Sequence, residues 1–464
     1  MVIFNMTLRD GKVPDDWKSS NVAPIYKTGK CGLPENYRPV SLTSLVSKLF
    51  ESIIRDRIVY HLESQCLLRD SQHGFRKRKS CLTNLLTFLD RVTGSVDEGD
   101  AVDVVFLDLA KAFDKVPHQR LIKKLKIHGI EGELLNWIIS WLKDRKQRVC
   151  FNGHLSRWRR VTSGVPQGSV LGPILFLIYI NDLDGGIVNW ILKFADDTKV
   201  FAKIRSADDA SSLQRDLDRL VQWAREWQMM FNVKKCKVMH MGRKNPRYQY
   251  KMNGQILETV KQEKDLGVVI SEDLKVSNQC NMAYLKANRT LGLIKRTIEY
   301  KSEFIMLRLY KSLVRPHLEY CTAAWSPYYI KDKCLLERVQ HRFTRLIPGM
   351  KELSYSERLA KMGLMTLEER RNRSDLIEMF KMVKGYSHVS LDTFFEFDTT
   401  NRTRGHSLKL KKKRCFTDLR RHFFAERVVE NWNRPSEADS ATTVNGFKNH
   451  LMKDRSAKMG LLKD

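Results

Sequence analysis

The sequence predicts an α+β chain, with its strands concentrated before residue 275 and helices after it. Three observations lead there. Short β-branched runs end in or flank carboxylates, at Val102 to Leu109 and on either side of Phe194-Ala195-Asp196-Asp197. Amphipathic stretches at helical spacing lie between them, as in Leu213, Leu217, Leu220, Ala224 and Trp227. From about residue 275 the pattern turns helical, with Tyr284 to Leu293, Phe304 to Leu313 and Leu335 to Leu346.

At 464 residues the chain can form two or three domains with large buried cores. Its 42% hydrophobic and 29% charged residues read as soluble and globular. The excess of 82 basic over 53 acidic residues, a net charge of +29, points to a polyanionic partner, nucleic acid above all. The longest apolar run, Val170 to Ile180, is interrupted by Gly172 and Pro173 and is shorter than the ~20 residues of a spanning helix. With no signal peptide or transmembrane segment evident, no membrane partner is expected, and the location is intracellular, nucleus and/or cytoplasm. Nine cysteines without a C-x-x-C pair indicate a reducing compartment. His317, Cys321, Cys334 and His341 are irregularly spaced and read as ordinary packing rather than a zinc site.

Along the chain, Met1 to Met6 reads as mid-helix with no cap before it. Val22 to Tyr26 is a short strand ending in Lys27-Thr28-Gly29-Lys30. A helix from about Ser44 carries Leu45, Leu49, Ile53 and Ile54 on one face. After the basic loop Gln72 to Arg76, another helix holds Leu82, Leu85, Leu86 and Leu89. Gly99-Asp100 punctuates before the buried-type strand that ends at Asp108. Helices follow around Leu121 and Leu125 and around Trp137 and Trp141. A hairpin from Arg148 to Val161 turns at Asn152-Gly153. The loop Ser163 to Ser169 opens into an apolar helix, and the Asp-Asp hairpin comes next. Strand Lys237 to Met241 and a second hairpin at Asn253-Gly254 complete this part. Residues 401–464 hold 16 Lys and Arg against 7 Asp and Glu, densest at Lys411 to Arg414; such a run is a solvated face, an import signal or an RNA contact.

Two adjacent aspartates at a tight turn suit a divalent cation with oxygen ligands. Alone, Asp196-Asp197 equally reads as a solvated turn and Asp108 as a strand-end residue. If their strands are antiparallel neighbours, the three carboxylates converge and can clamp two magnesium ions ~3.5–4 Å apart. That geometry serves in-line attack of a 3′-hydroxyl on a nucleotide α-phosphate.

Six segments stand in an order that resembles one family. They are Asn36-Tyr37-Arg38-Pro39-Val40-Ser41-Leu42, Gln72-His73-Gly74-Phe75-Arg76, Phe106-Leu107-Asp108-Leu109-Ala110-Lys111-Ala112-Phe113-Asp114, Gly164-Val165-Pro166-Gln167-Gly168-Ser169, Phe194-Ala195-Asp196-Asp197 and Leu266-Gly267-Val268. The chain resembles the reverse transcriptases of non-long-terminal-repeat, LINE-type retrotransposons, closest to the jockey-like and chicken-repeat-like groups. The likeness covers roughly residues 10–350 and continues loosely through Thr403 to His406 and Val428 to Trp432. Group II intron maturases and telomerase are rivals; the stretch from Asp108 to Phe113 and the C-terminal third favour the retrotransposon group.

The resemblance implies a right-hand polymerase fold: N-terminally truncated fingers over 1–100, palm over 101–274, helical thumb over 275–350 and a basic C-terminal region over 351–464. It implies Asp108 and Asp196 as main metal ligands, Asp197 as third carboxylate and the Leu109 carbonyl as an additional ligand. Phe113 matches a steric gate against a ribose 2′-hydroxyl, although its apolar setting also suits a core side chain. Gln167 and Gly168 would line the nucleotide pocket, with Gly164 and Gly168 allowing close backbone approach. Arg38, Arg76 and Lys27 would reach triphosphate or template. Lys235 matches a lysine that protonates pyrophosphate, or is a plain surface lysine. Asp114 is expected to cap the helix of Leu121 and Leu125, and Gly267 to mark the primer-grip hairpin. The thumb's basic face would follow the minor groove of an RNA–DNA duplex. The implied activity is RNA-directed DNA polymerisation with two Mg²⁺ (Mn²⁺ able to substitute), an RNA template, a DNA primer and dNTPs. The alternative is a catalytically inactive nucleic-acid-binding relic. The upstream endonuclease usual in the family is absent from this sequence, as are a ribonuclease H segment and a cysteine-rich knuckle. Oligomeric state stays open.

Overall fold

The computed structural model describes residues 2–398, 408–434 and 441–453; Thr403 to His406 lie outside them. Helices α1 (Val2–Arg9) and α2 (Asp15–Lys18) lead into strands β1 (Ser19–Tyr26) and β2 (Tyr37–Leu42). Ser44 caps α3 (Leu45–Ser64), and Ser80 with Thr83 forms a reciprocal capping box on α4 (Cys81–Asp97). Strand β3 (Ala101–Leu107) is followed by α5 (Ala112–Lys115), α6 (His118–Ile127) and α7 (Gly132–Leu142). Strands β4 (Lys146–Phe151), β5 (His154–Leu155) and β6 (Arg159–Arg160) form the next hairpin. It turns at Asn152 (φ 48°) and Gly153 (φ 80°), the two positive values a type I′ turn requires. Then come α8 (Gly172–Tyr179), β7 (Trp190–Phe194), β8 (Asp197–Ile204), α9 (Ala207–Glu226) and β9 (Lys237–Met241). Short strands β10 (Lys251–Met252), β11 (Gln255–Ile256), β12 (Glu258–Thr259), β13 (Gln262–Asp265) and β14 (Val268–Ser271) close this half. The remainder is helical: α10 (Ser277–Thr297), α11 (Glu303–Leu309), α12 (Arg315–Glu319), α13 (Thr322–Trp325), α14 (Ile330–Thr344), α15 (Tyr355–Lys361), α16 (Leu367–Val383), α17 (Leu391–Phe394), α18 (Asp418–Arg421), α19 (Phe424–Trp432) and α20 (Val444–Lys453). Among the described residues no helix is long and apolar enough to cross a membrane.

The central sheet has the order β12-β9-β3-β8-β7, with β3 antiparallel to both neighbours. Side chains alternate across it, so each face meets a different core. Val105, Leu107, Val200 and Val238 join a core with α6, α8 and α9. Val102, Val104, Phe201 and Met239 join a second core with α4, β14 and the C-terminal helices. Burial on both faces explains why β3 reads as a continuous apolar run. The second core continues across residue 350, through Phe343 and Met350 to Phe380, Phe424 and Phe447. Polar contacts fasten its C-terminal part to α4: Arg420 donates to the Asp90 carboxylate (2.8 Å), and the Asp97 carboxylate accepts from Thr417 N (2.7 Å).

A second sheet has the order β2-β1-β4, extended by β5 and β6. Here β4 runs parallel to β1 although over 100 residues separate them. Helix α3 corrects one expectation. Its buried stripe is Phe50, Ile54, Ile58 and Leu62, whereas Leu45, Leu49 and Ile53 are exposed. The helix carries two apolar stripes, and only the tertiary fold selects the one that packs.

Candidate active site

The last paired couple between β3 and β8 is Leu107 and Thr198. One step further along this antiparallel register come Asp108 and Asp197, which therefore face each other across the sheet end. Phe194 pairs with Asp197, leaving Ala195-Asp196 as a two-residue turn. Ala195 has φ 54°, a left-handed conformation that costs roughly 1–2 kcal/mol for a residue with a Cβ.

A socket holds that turn. The buried Gln72 side chain accepts hydrogen bonds from Ala195 N (2.9 Å) and Gly74 N (2.8 Å). The backbone of 71–73 pairs with β7, Lys193 N donating to Ser71 O and His73 N to Lys193 O, both at 2.8 Å. A Cβ on Gly74 would lie 2.5 Å from Ala195 N, so only glycine fits there. The His73 imidazole, 2.9 Å from Thr83 Oγ1, is pushed down to about 3 by burial and by nearby Lys79, Lys199 and Arg76.

Burial raises the pKa of all three carboxylates. Asp197 reaches about 6, with the charges of Asp196, Asp265 and Asp108 adding to burial. Asp196 is raised by burial and by Asp108, and held back by Arg38 and Lys27. Asp108 is raised by burial against Lys235 and Lys27. The Lys235 ammonium stands 3.8 Å from Asp108 Oδ2. Arg38, Lys27 and Lys235 thus all act on the carboxylates electrostatically. Arg76 does not reach them. Its guanidinium is mostly buried, donating to Arg69 O (3.0 Å) and lying 3.7 Å from Asp70, so the structure engages it within the 69–76 loop, where the sequence reading has it reaching triphosphate or template.

Leu109 makes an antiparallel bridge with Phe231 whose hydrogen bonds come from its neighbours: Asn232 N to Asp108 O and Ala110 N to Met230 O, both 2.8 Å. In such a pair the central residue's own N–H and C=O point away from the partner strand. Phe113, half-buried on α5, stacks on Phe176 of α8 with centroids 4.4 Å apart. Gln167 donates to Asp114 Oδ1 (3.1 Å), and its carbonyl accepts from Ser41 N (2.7 Å). Asp114 therefore braces Gln167 and does not cap α6, which starts after Pro117 without a side-chain cap. Cβ atoms at Gly164 and Gly168 would each meet a carbonyl oxygen at 2.6 Å, of Asp114 and Ser41 respectively.

Residues 25–277 match the family described as reverse transcriptase (RNA-dependent DNA polymerase). The chain belongs to this reverse transcriptase family. It is 28% identical over 360 residues to a probable RNA-directed DNA polymerase from transposon X-element of Drosophila melanogaster, covering 75% of this chain and 39% of the relative. It is 28% identical over 335 residues to the RNA-directed DNA polymerase from mobile element jockey of the same fly, covering 69% and 36%. The resemblance to jockey-like elements is borne out, and the chain spans about two fifths of the length of these curated relatives. Apo telomerase from Candida Tropicalis superimposes with a TM-score of 0.45 at 11% identity, over 80% of this chain and 66% of that one. With its family and central sheet in view, the fold of this reverse transcriptase chain is the α+β right-hand polymerase fold.

Beside the carboxylates lies a cleft of about 360 Å³, lined by Asp108, Asp197, Lys199, Lys235, Asp265 and Leu266. Among the described residues no group of three or more His, Cys, Asp or Glu is placed to hold a metal ion by itself. The reverse transcriptase carboxylates form an open set instead, and this fits Mg²⁺, which takes one or two carboxylates and completes its octahedron with water and substrate phosphates.

Three devices escaped the sequence reading. One is Gln72 in its socket role. Another is Glu51, whose buried carboxylate accepts from Val170 N (2.8 Å), Leu171 N (3.2 Å) and Trp141 Nε1 (3.1 Å) and so anchors the start of α8. The third is the buried ion pair of Lys199 with Asp265, which ties β8 to the Leu266-Gly267 turn. For the last two, a Glu inside an amphipathic helix and a Lys inside an apolar strand are the only traces in the sequence.

Proposed function

We propose that the chain is an RNA-directed DNA polymerase that extends a DNA 3′ end on an RNA template with dNTPs, as in target-primed retrotransposition. The observation that carries this is the placement of Asp108 opposite Asp197 with Asp196 in the adjoining turn. Asp108 and Asp196 would hold Mg²⁺, with Asp197 and the Leu109 carbonyl as additional oxygens. Bound Mg²⁺ ions would lower the pKa of the primer 3′-hydroxyl and neutralise charge on the leaving pyrophosphate. Mn²⁺ is expected to substitute.

The chain's own groups do the positioning. Phe113, fixed against Phe176, presents a rigid edge that would exclude a 2′-hydroxyl. Gln167, braced by Asp114, would line the nucleotide pocket together with Gly168. Arg38 and Lys27 would take triphosphate charge. Lys235, close to Asp108, would give its proton to pyrophosphate. We assign fingers, palm, thumb and basic C-terminal region to 1–100, 101–274, 275–350 and 351–464, with hairpin 146–160 joined to the fingers sheet. We place the reaction in the nucleus or cytoplasm, where RNA and dNTPs meet.

The test is Mg²⁺-dependent dTTP incorporation on poly(rA)/oligo(dT). Asp196→Asn is expected to lower it by about 10³-fold or more, on the order of 4 kcal/mol of transition-state stabilisation. Its melting temperature should not fall, because the carboxylate is destabilised by burial. Equal incorporation by both proteins overturns the assignment.

A further inference from the structure

Lysine is rarely found in a protein interior, yet Lys193, three residues before Asp196, is fully buried on β7. Each of its polar atoms is engaged. Its backbone pairs with Ser71 and His73, and its carbonyl also accepts from Asn84 Nδ2 at 3.2 Å. The ammonium donates to Asn181 O at 3.0 Å and stands 3.1 Å from Asp184 Oδ1. Asp184 is fixed in turn, its Oδ2 accepting from Ser71 Oγ at 2.6 Å. The Asn181 side chain is held by donating to Leu67 O (2.7 Å) and accepting from Arg69 N (3.0 Å). Segments 67–71 and 181–184 thus build a polar pocket that receives one side chain of β7.

Strand β7 ends the central sheet, and its register decides where the carboxylates fall. Lys193 pairs with Thr198, and Leu192 with Lys199. Successive side chains alternate, so Leu192 faces the core that holds Phe88 and Phe201, and Lys193 faces the other way. A slip of one residue would turn Lys193 into that core. In one direction it lands opposite Lys199, setting two buried ammonium groups face to face. That slip pairs Phe194 with Thr198 and draws Asp197 out of the strand, away from Asp108. In the other direction Lys193 lands opposite Asp197, and Phe194 is drawn into the turn. Both slips leave the buried Asp184 carboxylate without its ammonium, which is strongly unfavourable. The rest of β7 is Trp190, Ile191, Leu192 and Phe194, all apolar, so no other side chain of the strand separates the registers so sharply.

We infer that Lys193 is a positioning residue for nucleotidyl transfer. It pins β7 in the register that leaves Ala195-Asp196 as a two-residue turn and Asp197 opposite Asp108. Gln72 grips the turn once it has formed; Lys193 selects which residues form it. The inference rests on reading Asp108, Asp196 and Asp197 as the polymerase carboxylates.

The experiment introduces Ile191→Cys/Val200→Cys, a directly opposed pair in the native register, into the full chain. Peptide mass mapping measures the disulfide that oxidised glutathione forms between the two introduced cysteines. With Lys193 intact the bond should form nearly completely. Adding Lys193→Met/Asp184→Asn, which removes both charges, is expected to lower that yield by about threefold or more. Incorporation of dTTP should fall by about 10²-fold, the scale of a small misplacement of catalytic groups. The purified cross-linked fraction should recover to within about threefold of the cysteine pair alone. Lys193→Gln/Asp184→Asn keeps a polar group on that face and should keep the disulfide yield, which separates register from general disturbance of the pocket. Equal loss of yield with Met and Gln, full yield with Met, or lost incorporation that the cross-link does not restore overturns the inference. If the yields differ as expected but the wild type incorporates no dTTP, the polymerase reading fails and the register pin stands.

Discussion

Two tight turns flank the same cleft and are held in opposite ways. Ala195-Asp196 is gripped from within one half of the molecule by Gln72 and the close approach of Gly74. Leu266-Gly267, with φ 44° and 90°, is held from both sides. Lys199 of β8 pairs with Asp265 beneath it, and Tyr320, beyond α12, donates to Leu266 O at 3.0 Å from the helical half. The carboxylate turn is thus a fixed reference. The second turn is a joint whose place depends on how the C-terminal helices sit on the sheet.

The sharpest way to break this contrast is at Lys199. Lys199→Ala leaves Asp265 buried without its partner and should cost about 3–5 kcal/mol in urea unfolding. Replacing the pair by Lys199→Met/Asp265→Leu should restore most of that stability, since apolar side chains remove both desolvation penalties. The restored protein should still extend primers poorly, because the joint is released. Full activity in the double variant would show that the ion pair does not position the turn.

At the fixed turn, Gln72→Ala strips the acceptor from two buried N–H groups, a loss of about 1–3 kcal/mol. Incorporation should fall with it, since the left-handed strain at Ala195 then loses the hydrogen bond that offsets it. Unchanged stability would mean that the socket is not what holds the carboxylates.

His73 gives the socket a pH signature. Its folded pKa, about 3, lies below its ordinary value of 6.5, so the neutral ring is what folding requires. Its contribution is fully present above pH 6.5 and is lost as pH falls toward 3, with a slope of at most ~1.4 kcal/mol per pH unit. Denaturation curves from pH 7 to 4 should be flatter for His73→Gln; parallel curves would exclude His73 as the group responsible. The smallest effect belongs to Tyr320→Phe, about 1 kcal/mol or less. It should raise the KM for primer while leaving the Asp196-dependent step unchanged, and an equal fall in kcat would contradict a positioning role.

Much of the site was legible because its chemistry lies in short contiguous motifs. Asp108, Asp196 and Asp197 sit where strand patterns end, so antiparallel pairing of two strands was enough to bring them together. Phe113 and Gln167 travel with those strands and loops. Residues that act through distant partners were not legible. Arg76 looked like a ligand of triphosphate or template, but part of its guanidinium is engaged by Arg69 O and Asp70. Asp114 looked like a helix cap, but it braces Gln167. On α3 the pattern Leu45, Leu49, Ile53 was as good a core stripe as Phe50, Ile54, Ile58.

The sequence by itself determined the strand-end carboxylates, the basic field and the two Asn-Gly turns. Each of these follows from local periodicity, turn chemistry or charge count. Only the tertiary structure decided which stripe of α3 packs, that 146–160 joins β1, and that Gln72, Glu51 and Lys199 are buried where a backbone amide or a carboxylate needs them. The physical reason is that the cost of burying a polar group depends on the partner it meets, and that partner is chosen by the fold.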